Sequence, residues 1–493
     1  MHKIGTLFKF NVRLYKIFFK IYAIIGSTRY GGAIMDNLVL AAKINAIENS
    51  SFVQISGPNP LIMPGEQGAW DDGMCEMCDI LKDNGKYYLY YHATGRGESY
   101  RVGVAVSDNP LGPFVKHGTE PILDLTFGDG NDRYIACGSI IKESTDKYYL
   151  FYSLQRRDDM LNYYIGLATA DNPLGPFKKF DGNPIMKNFG YVGGVTKRDG
   201  KYYMFNEYPT RVQAVDYGHI SYAFADSPEG PWTTCRDEPA MPVADWGTWD
   251  DAGYSECNVK FDGTLFHMFY GGAKTHANRL LSQESMGYAY SADGRKFFKY
   301  GKNPVAHREN IAYGAAMAEC CFLAEYPYVY VYHTLRYTKP WLPENKFAFE
   351  NRKFPNMEHI GVQVLSLTEH FSVSYQAFAL DTLASGETYT DPAKLPLSVM
   401  NARGFALSVS YRCDEDAAGD TPALLVHVKT GPSPNALTTE ATYTFTLPSY
   451  PGKESRVDVG ADDLCARFMQ VEVENIDPTK PIRDVSVNVT LVG

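Results

Sequence analysis

The chain has 493 residues, more than one ordinary hydrophobic core supports, so its length predicts two domains. Hydrophobic residues make up 45% and charged residues 21%, which is normal for a soluble globular protein. A formal net charge of −10 argues against a nucleic-acid partner, because phosphate binding needs a basic surface. The 36 tyrosines suit half-buried strands and also the faces of sugars.

The N-terminal segment is basic, with no acidic residue before Asp36. Its apolar stretch over residues 17–25 is interrupted by Lys20, so it is too short and too charged to span a bilayer. It also lacks the clean apolar run and cleavage site of a signal peptide. A basic amphipathic helix is one interpretation, but we favour Met35 as the native start, which N-terminal protein sequencing would test. We therefore treat residues 1–50 as an N-terminal extension.

A tripartite unit recurs five times over residues 51–372. Each copy opens on an X-Pro dipeptide and continues with an apolar strand, a turn, an aromatic strand and a further strand. The opening dipeptides are Asn59-Pro60, Glu120-Pro121, Asn183-Pro184, Glu238-Pro239 and Asn303-Pro304. Asn84-Gly85 between apolar runs is a strong hairpin signal. Because a lone four-stranded blade cannot bury both of its faces, five copies predict a five-bladed β-propeller.

The pattern changes over residues 373–493, where apolar and polar residues alternate in evenly spaced segments. Examples are residues 406–411, 424–428, 443–447, 469–473 and 485–489. Such half-buried strands predict an antiparallel β-sandwich as a second domain. The predicted fold class is therefore all-β, a five-bladed β-propeller followed by a C-terminal antiparallel β-sandwich.

Nine cysteines without framework spacing predict reduced thiols and a cytoplasmic protein. Cys75-x-x-Cys78 could indicate metal or redox chemistry. No second pair stands at zinc-site spacing, so we favour small buried residues near the propeller axis. The carboxylates described next lack a dense Asp-x-Asp-x-Asp loop, so we predict no cofactor and leave a structural calcium ion as an alternative.

Acids at the starts of the first strands should converge, because the innermost strand of every blade begins near the axis. The candidate catalytic carboxylates are Asp72, Glu76, Asp132, Asp251, Glu256 and Glu319. Carboxylates around one axis raise each other's pKa, and this cost is typical of active sites. The repeated Trp-Asp-Asp motif has an alternative role as a blade-capping turn, in which Asp71 and Asp250 accept backbone N–H bonds.

Several other side chains are predicted to lie at the same face of the propeller as these carboxylates. For most of them the reason is that the second strand of a blade runs back to that face. The candidate substrate-binding residues are His92, Glu207, Arg211, Trp249, His333 and Arg336. The third unit carries Gly193-Gly194 where other units carry acids. We expect these glycines to leave room for substrate.

The run from Cys78 to Tyr91, followed by the turn over residues 107–114, resembles glycoside hydrolase family 43 and the related five-bladed families 32, 62, 117 and 130. The resemblance covers about residues 59–372. It implies a sugar-cleaving enzyme with a short axial pocket, in which blade one supplies an Asp base, blade two a pKa-tuning Asp and blade three a Glu acid. This chain lacks the Asp-Pro of blade one and the Glu of blade three. Glu256-Cys257 and Glu319-Cys320 resemble the Glu-Cys acid/base motif of family 32.

Together these features predict an exo-acting glycoside hydrolase for plant or microbial oligosaccharides. Glu256 or Glu319 would be the general acid and Asp72 or Glu76 the base or nucleophile, with Asp132 and Asp251 tuning their pKa values. One alternative is a glycoside phosphorylase, in which Arg133, Arg211 and Arg336 would hold phosphate. Another is a non-catalytic carbohydrate-binding propeller. The predicted partner is an oligosaccharide, without nucleic acid or membrane, and the oligomeric state is left open.

Overall fold

The computed structural model describes residues 29–95, 99–126, 132–159, 162–209, 218–235, 237–275, 283–337, 357–415 and 422–493. The chain forms two compact units, residues 1–50 and 51–493. The first contains helix α1 (Arg29–Asn49). No helix within the described ranges is long and apolar enough to cross a membrane.

The second unit begins with strand β1 (Val53–Ser56), followed by four antiparallel sheets, one of them nine-stranded. A single residue pair, Gly218 with Tyr254, joins the two halves of the nine-stranded sheet, so we describe the halves separately and call the resulting groups of strands repeat sheets one to five. Sheet one contains β2 (Met74–Asp83), β3 (Lys86–Thr94), β4 (Arg101–Ser107) and β5 (Val115–Lys116). Sheet two contains β6 (Asp132–Ser144), β7 (Lys147–Arg156), β8 (Tyr164–Ala170), β9 (Lys178–Lys179) and β10 (Met186–Lys187). Sheet three contains β11 (Tyr191–Arg198), β12 (Lys201–Pro209), β13 (Gly218–Ala225) and β14 (Thr233–Cys235).

Sheet four contains β15 (Gly253–Phe261), β16 (Phe266–Ala273), β17 (Gln283–Ser291), β18 (Phe298–Lys299) and β19 (Ala306–His307). A short 3₁₀ helix (Arg308–Asn310) follows it. Sheet five contains β20 (Gly314–Glu325), β21 (Tyr328–Tyr337) and β22 (Met357–Ser366), and β1 pairs with β22 as its outer strand. Sheet five is thus completed by β1, which precedes Asn59-Pro60, the opening dipeptide of the first unit.

The first hairpins of sheets one and three confirm the turns predicted from the sequence. Asn84 and Gly85 have φ values of 48° and 77°, and Asp199 and Gly200 have φ values of 51° and 81°. Two-residue loops with positive φ at both positions match the twist of paired strands, and Asn-Gly and Asp-Gly adopt them readily. The aromatic strands that follow are almost wholly buried.

The first strands of the five sheets contact one another in a closed ring. Strand β2 contacts β6, β6 contacts β11, β11 contacts β15, β15 contacts β20, and β20 contacts β2. The buried carboxylate of Asp79 on β2 joins three of these strands. It accepts hydrogen bonds from Ser139 Oγ (3.1 Å) and Ile140 N (3.0 Å) of β6, and from Asn258 Nδ2 (3.1 Å) of β15. Apolar side chains fill the spaces between neighbouring sheets.

Two further antiparallel sheets follow the ring. One has the order β23 (Ser372–Leu383), β31 (Ile482–Val492), β26 (Gly404–Cys413) and β29 (Glu454–Ala461). The other contains β24 (Thr388–Tyr389), β25 (Leu397–Ser398), β30 (Phe468–Asn475), β27 (Pro422–Gly431) and β28 (Tyr443–Pro448). The predicted alternation is confirmed, since Val485, Val487 and Val489 are buried while the residues between them are half-buried.

Apart from α1 and the 3₁₀ turn, these elements are strands, so the predicted all-β class is confirmed. The C-terminal sheets share one apolar core with parts of repeat sheets one and five. Lys394 Nζ donates to the carbonyl of Pro60 at 2.9 Å, and Asn401 Nδ2 donates to that of Gln54 at 2.8 Å. These contacts tie the C-terminal sheets to the segment that closes the ring.

Candidate active site

A β-bulge interrupts the first strand of every repeat sheet, and three of these bulges carry or adjoin a glutamate. The pairing shifts between Met77 and Asp79 in β2, between Tyr254 and Cys257 in β15, and between Ala318 and Cys320 in β20. Glu256 and Glu319 lie within the shifted segments, and Glu76 immediately precedes Met77. An extra residue re-aims the side chains around it, which is why bulges are frequent next to active sites.

Glu76 is buried and receives hydrogen bonds on both carboxyl oxygens. The His92 Nε2 lies 2.6 Å from Oε2, and the Tyr100 hydroxyl donates to Oε1 at 3.1 Å. The His92 Nδ1 lies 3.3 Å from Cys78 Sγ. Burial raises the pKa of the Cys78 thiol and lowers that of His92 to about 4, so the imidazole is neutral near neutral pH. His92 bridges Cys78 and Glu76 and positions this carboxyl.

Glu319 combines burial with an unusual backbone and an unsatisfied oxygen. Its φ of 24° lies in the left-handed region that side chains other than glycine seldom adopt. No donor among the described residues reaches its buried Oε2, while Oε1 lies 3.7 Å from Arg336 Nη2. Burial, followed by the charge of Glu256, raises the pKa of Glu319 from 4.5 to about 8. The carboxyl is therefore protonated at neutral pH.

Glu358 on β22 is a fourth carboxyl of this group, and the sequence patterns did not predict it. It is buried, and its Oε1 accepts a hydrogen bond from Arg336 Nε at 2.8 Å. Residues 336 and 358 are direct partners across β21 and β22, so the register of the sheet creates this ion pair. Burial, followed by the charge of Glu358 and a hydrogen bond to it, raises the pKa of Glu76 well above its ordinary value.

Glu256 is the least buried of the four, which we call the acid cluster (Glu76, Glu256, Glu319 and Glu358). Its charge contributes to the raised pKa values of Glu319 and of the buried thiols Cys257 and Cys320, so it lies close to all three. Glu207 at the end of β12 is buried and also contributes to the raised pKa of Cys257. Of the predicted site residues, the structure thus brings together Glu76, His92, Glu207, Glu256, Glu319 and Arg336.

The acid cluster contains four carboxyl groups, of which Glu319 and Glu358 pair with the guanidinium of Arg336. Carboxylates at close range cannot all ionise in a buried site, so the cluster retains protons near neutral pH. The causes of the raised pKa values of Glu76 and Glu319 agree with this, since each includes the charge of a neighbouring glutamate. The cluster can therefore supply a neutral carboxyl and an ionised one side by side.

A row of tyrosines leads away from Glu76, and we call it the tyrosine row (Tyr100, Tyr134, Tyr163 and Tyr191). The Tyr134 ring lies 6.2 Å from those of Tyr100 and Tyr163, and the Tyr163 ring lies 4.5 Å from that of Tyr191. The hydroxyls of Tyr134 and Tyr191 are hydrogen-bonded at 2.8 Å. All four side chains are half-buried, so aromatic faces and hydroxyls border the acid cluster on the side of repeat sheets two and three.

Asp132 belongs to a different set of acids, the aspartate–lysine pairs (Asp71–Lys116, Asp132–Lys179 and Asp250–Lys299). The carboxylate–ammonium distances are 2.5, 2.6 and 2.6 Å, and each lysine lies on a short outer strand. The hydroxyls of Tyr91 and Tyr270 also donate to Asp71 and Asp250. These contacts hold the outer strands, and they replace the backbone N–H bonds expected for Asp71 and Asp250.

The remaining predicted acids close turns. Asp72 Oδ2 accepts the N–H of Gly68 at 2.6 Å, and Asp251 accepts those of Gly247 at 2.9 Å and Thr275 at 2.7 Å. The backbone contacts expected of the first Asp in the Trp-Asp-Asp motif are thus made by the second. Trp249 stacks on Tyr270, with ring centroids 5.9 Å apart, just as Trp70 stacks on Tyr91 at 5.8 Å.

His333 is wholly buried, and burial lowers its pKa to about 3. Within the described part of the chain its Nε2 has no hydrogen-bond partner. Arg211, the remaining predicted sugar-binding residue, lies outside the described residues. Arg133, which a phosphorylase would use for phosphate, donates to Gln155 Oε1 at 2.5 Å, and Arg336 is held between Glu319 and Glu358.

The expectation that Gly193 and Gly194 leave room for substrate is wrong. A Cβ at Gly193 would lie 2.1 Å from the carbonyl oxygen of Cys257, and one at Gly194 would lie 2.3 Å from Val259 N. These glycines instead let β11 pack directly against β15. Among the described residues no group of three His, Cys, Asp or Glu side chains is arranged to hold a metal ion. Cys75 and Cys78 are buried thiols that form no disulfide, and the expectation of no cofactor, with a structural calcium ion as the alternative, stays a prediction.

Comparisons with known proteins identify relatives in sequence, although no family model matches the chain. A xylosidase/arabinosidase of Bacteroides ovatus is 24% identical over 274 residues, which cover 49% of this chain and 78% of the relative. A β-xylosidase of Xylanibacter ruminicola is 27% identical over 230 residues, which cover 41% of this chain and 65% of the relative. A solved thermostable family-43 glycoside hydrolase is 18% identical, with a TM-score of 0.44 over 62% of this chain and 92% of that one. The sequence relatives confirm the resemblance to the family-43-like glycoside hydrolases, and the chain is a glycosidase.

Proposed function

We propose that the chain is an exo-acting glycoside hydrolase that removes terminal xylose or arabinose residues from oligosaccharides at the acid cluster. The observation that carries this proposal is the pairing of Glu319, protonated at neutral pH, with the adjacent carboxylate of Glu256. Glycoside cleavage needs such a pair, because one carboxyl must protonate the leaving oxygen while the other acts on water or on the anomeric carbon.

Glu319 is the general acid in this proposal. A pKa of about 8 keeps its proton in place at neutral pH, and its Oε2 has no competing donor among the described residues. Arg336 Nη2, 3.7 Å from Oε1, stabilises the carboxylate that remains once the proton has moved to the leaving group. The bulge and the positive φ of Glu319 fix the direction of this transfer.

Glu256 is the partner of Glu319 in this proposal and acts as base or nucleophile. It is more exposed than the other three acids, and its charge contributes to the raised pKa of Glu319. The raised pKa of Glu76 makes that residue a poor base near neutral pH. Glu76 and Glu358, fixed by His92, Tyr100 and Arg336, are therefore assigned to holding sugar hydroxyls.

The substrate class rests on the two sequence relatives, whose names specify xylosidase and arabinosidase activity. The tyrosine row suits such sugars, because the C–H faces of a pentose pack on aromatic rings while its hydroxyls meet phenolic oxygens.

We also propose an architecture for the chain. The ring of repeat sheets is a five-bladed β-propeller over residues 51–372, and the C-terminal sheets are a β-sandwich over residues 373–493.

The test measures hydrolysis of two β-xylosides by wild type and by Glu319→Gln. Xylobiose has an alcohol leaving group that needs a proton, whereas 4-nitrophenyl β-xyloside has a leaving group that departs without one. Loss of general acid catalysis should therefore lower kcat on xylobiose by a factor of about 10³, and on the nitrophenyl substrate by much less.

Glu325→Gln is the matched control, since Glu325 ends the same strand but pairs with Lys82 at the surface. This variant should retain the wild-type rate on both substrates. Equal losses on the two substrates in Glu319→Gln would remove the assignment of Glu319 as acid. Absence of any turnover by wild type on β-xylosides and α-arabinofuranosides would remove the proposed substrate class.

A further inference from the structure

Two surface turns of this protein have similar sequences and share their main contacts, and they differ at three of seven positions. Residues 66–72 read Glu-Gln-Gly-Ala-Trp-Asp-Asp, and residues 245–251 read Asp-Trp-Gly-Thr-Trp-Asp-Asp. In each turn the second Asp of the Trp-Asp-Asp motif accepts the N–H of the equivalent glycine, at 2.6 Å and 2.9 Å. In each, the Trp stacks on a buried tyrosine and the first Asp pairs with a lysine.

Two of the differences are small, Glu66 against Asp245 and Ala69 against Thr248, and the third exchanges Gln67 for Trp246. Because the first turn makes the same contacts with Gln67, folding of the turn does not require a tryptophan there. The Trp246 side chain is 82% exposed. Within the described residues, no hydrogen bond or ring contact holds its indole. Exposed tryptophan is enriched at binding surfaces, where its ring packs on a partner and its N–H reaches a polar group.

Asp245, Thr248 and Trp249 line a cavity of about 960 Å³ between repeat sheets three and four, and Trp246 lies on the same loop beside this lining. Charged groups of both signs stand around this cavity, namely Glu238, Asp245, Arg295 and Lys296. Such a mixture offers hydrogen-bond donors and acceptors without the net charge that would attract an ion. It suits a neutral ligand that carries many hydroxyls.

We propose that Trp246 and this cavity form a second carbohydrate-binding site, separate from the acid cluster, for a chain of neutral pentose sugars. The indole packs against the C–H face of one sugar ring, and the charged side chains of the cavity bind hydroxyls of its neighbours. The site holds the enzyme on a polysaccharide while the acid cluster cleaves chain ends. The choice of pentose rests on the proposed function, whereas the choice of a neutral sugar chain rests on the site itself.

The repeat supplies the variant for the test, since Trp246→Gln installs the residue with which the equivalent turn already folds. Tyr326→Gln is the control, because Tyr326 is also 82% exposed but lies on the β20–β21 turn. Wild type and both variants are run in native gels that contain soluble arabinoxylan. We expect arabinoxylan to slow wild type and Tyr326→Gln equally, and to slow Trp246→Gln at least fivefold less. Turnover of 4-nitrophenyl β-xyloside should be the same in all three.

Equal retardation of Trp246→Gln and wild type by arabinoxylan would overturn the proposal. A change of molecular mass in Trp246→Gln, measured by sedimentation without polysaccharide, would also overturn it, because the surface would then join two copies of the chain. The proposed function fails separately. If no aryl glycoside is hydrolysed but retardation still depends on Trp246, the second site stands and the assigned reaction falls.

Discussion

In repeat sheets one, two and four, a buried aspartate faces a lysine at 2.5–2.6 Å, so each negative charge has a positive partner. In the acid cluster, four glutamates stand together with one ion-paired cation, Arg336, and the pKa values of Glu76 and Glu319 rise. The same functional group thus stabilises the sheets in one region and becomes a proton donor in the other. The difference is the number of cations within reach. A repeat protein can therefore carry many acids of which only the undercompensated ones are suited to chemistry.

Glu256→Gln should produce the largest effect and tests the chemical side of this comparison. Removal of this partner of Glu319 should lower kcat by a factor of about 10³ to 10⁴ while the protein stays folded. Steady-state kinetics on 4-nitrophenyl β-xyloside, with circular dichroism to monitor folding, measures this. Azide should restore part of the rate in Glu256→Ala if the residue is a nucleophile. A rate within tenfold of wild type would assign Glu256 to the structural acids.

Glu319→Gln should raise the free energy of unfolding, whereas replacement of a structural acid should lower it. Folding raises the pKa of Glu319 from 4.5 to about 8, so the native state holds a proton that the unfolded chain has lost. The destabilisation caused by this group therefore grows as pH rises from 4.5 to about 8. Glu319→Gln lacks this pH-dependent destabilisation. At pH 8 its free energy of unfolding should therefore exceed that of wild type by about 2 to 4 kcal/mol. Urea unfolding at pH 5 and pH 8 measures the difference, and a variant less stable than wild type at pH 8 would refute it.

Asp250→Asn should show the reverse pattern, a loss of stability without loss of chemistry. The substitution leaves Lys299 without its charged partner at a buried position, and we expect a cost of about 2 kcal/mol. Thermal unfolding should show a lower Tm, and kcat should stay within twofold of wild type. The equivalent Asp71→Asn should behave alike. A large fall in kcat at unchanged Tm in either variant would move these aspartates to the site.

Tyr100→Phe should give the smallest effect. It removes one hydrogen bond to Glu76 and leaves the ring of the tyrosine row in place. Loss of about 1 kcal/mol corresponds to a roughly fivefold fall in kcat/KM. Tyr164→Phe is a control, because the Tyr164 hydroxyl bonds Asp159 instead. Identical kcat/KM in wild type and Tyr100→Phe would show that this contact is dispensable.

Local signals predicted most of the strands, because each hairpin is specified by a few neighbouring residues. Asn84-Gly85 and Asp199-Gly200 need only their own φ values to turn the chain. Glu76, Glu256 and Glu319 could also be found, since all three lie on the first strands that precede the aromatic strands, although Glu319 stands in the middle of its strand and not at the start. The bulges that re-aim them left no distinct signal in the sequence.

Glu358 and Asp132 show why the rest could not be predicted. Glu358 belongs to the acid cluster because the strand register places it opposite Arg336, and no motif around residue 358 indicates that pairing. Asp132 lies on a first strand as the three glutamates do, but its carboxylate faces a lysine of an outer strand. A signal for this existed, because Phe114-Val115-Lys116, Phe177-Lys178-Lys179 and Phe297-Phe298-Lys299 repeat the lysine that each buried aspartate meets.

The pairing of β1 with β22 has a consequence for how the protein is made. Gln54 Nε2 donates a hydrogen bond to Gln363 Oε1, 309 residues away along the chain. Strand β1 therefore cannot pair until β22, the last strand of the ring, has been synthesised. Until then β1 has no partner in sheet five, and sheet five lacks its outer strand. Long-range pairing of this kind slows folding and leaves strand edges open to other chains during synthesis. The last repeat is therefore the step that commits the nascent chain to its native ring.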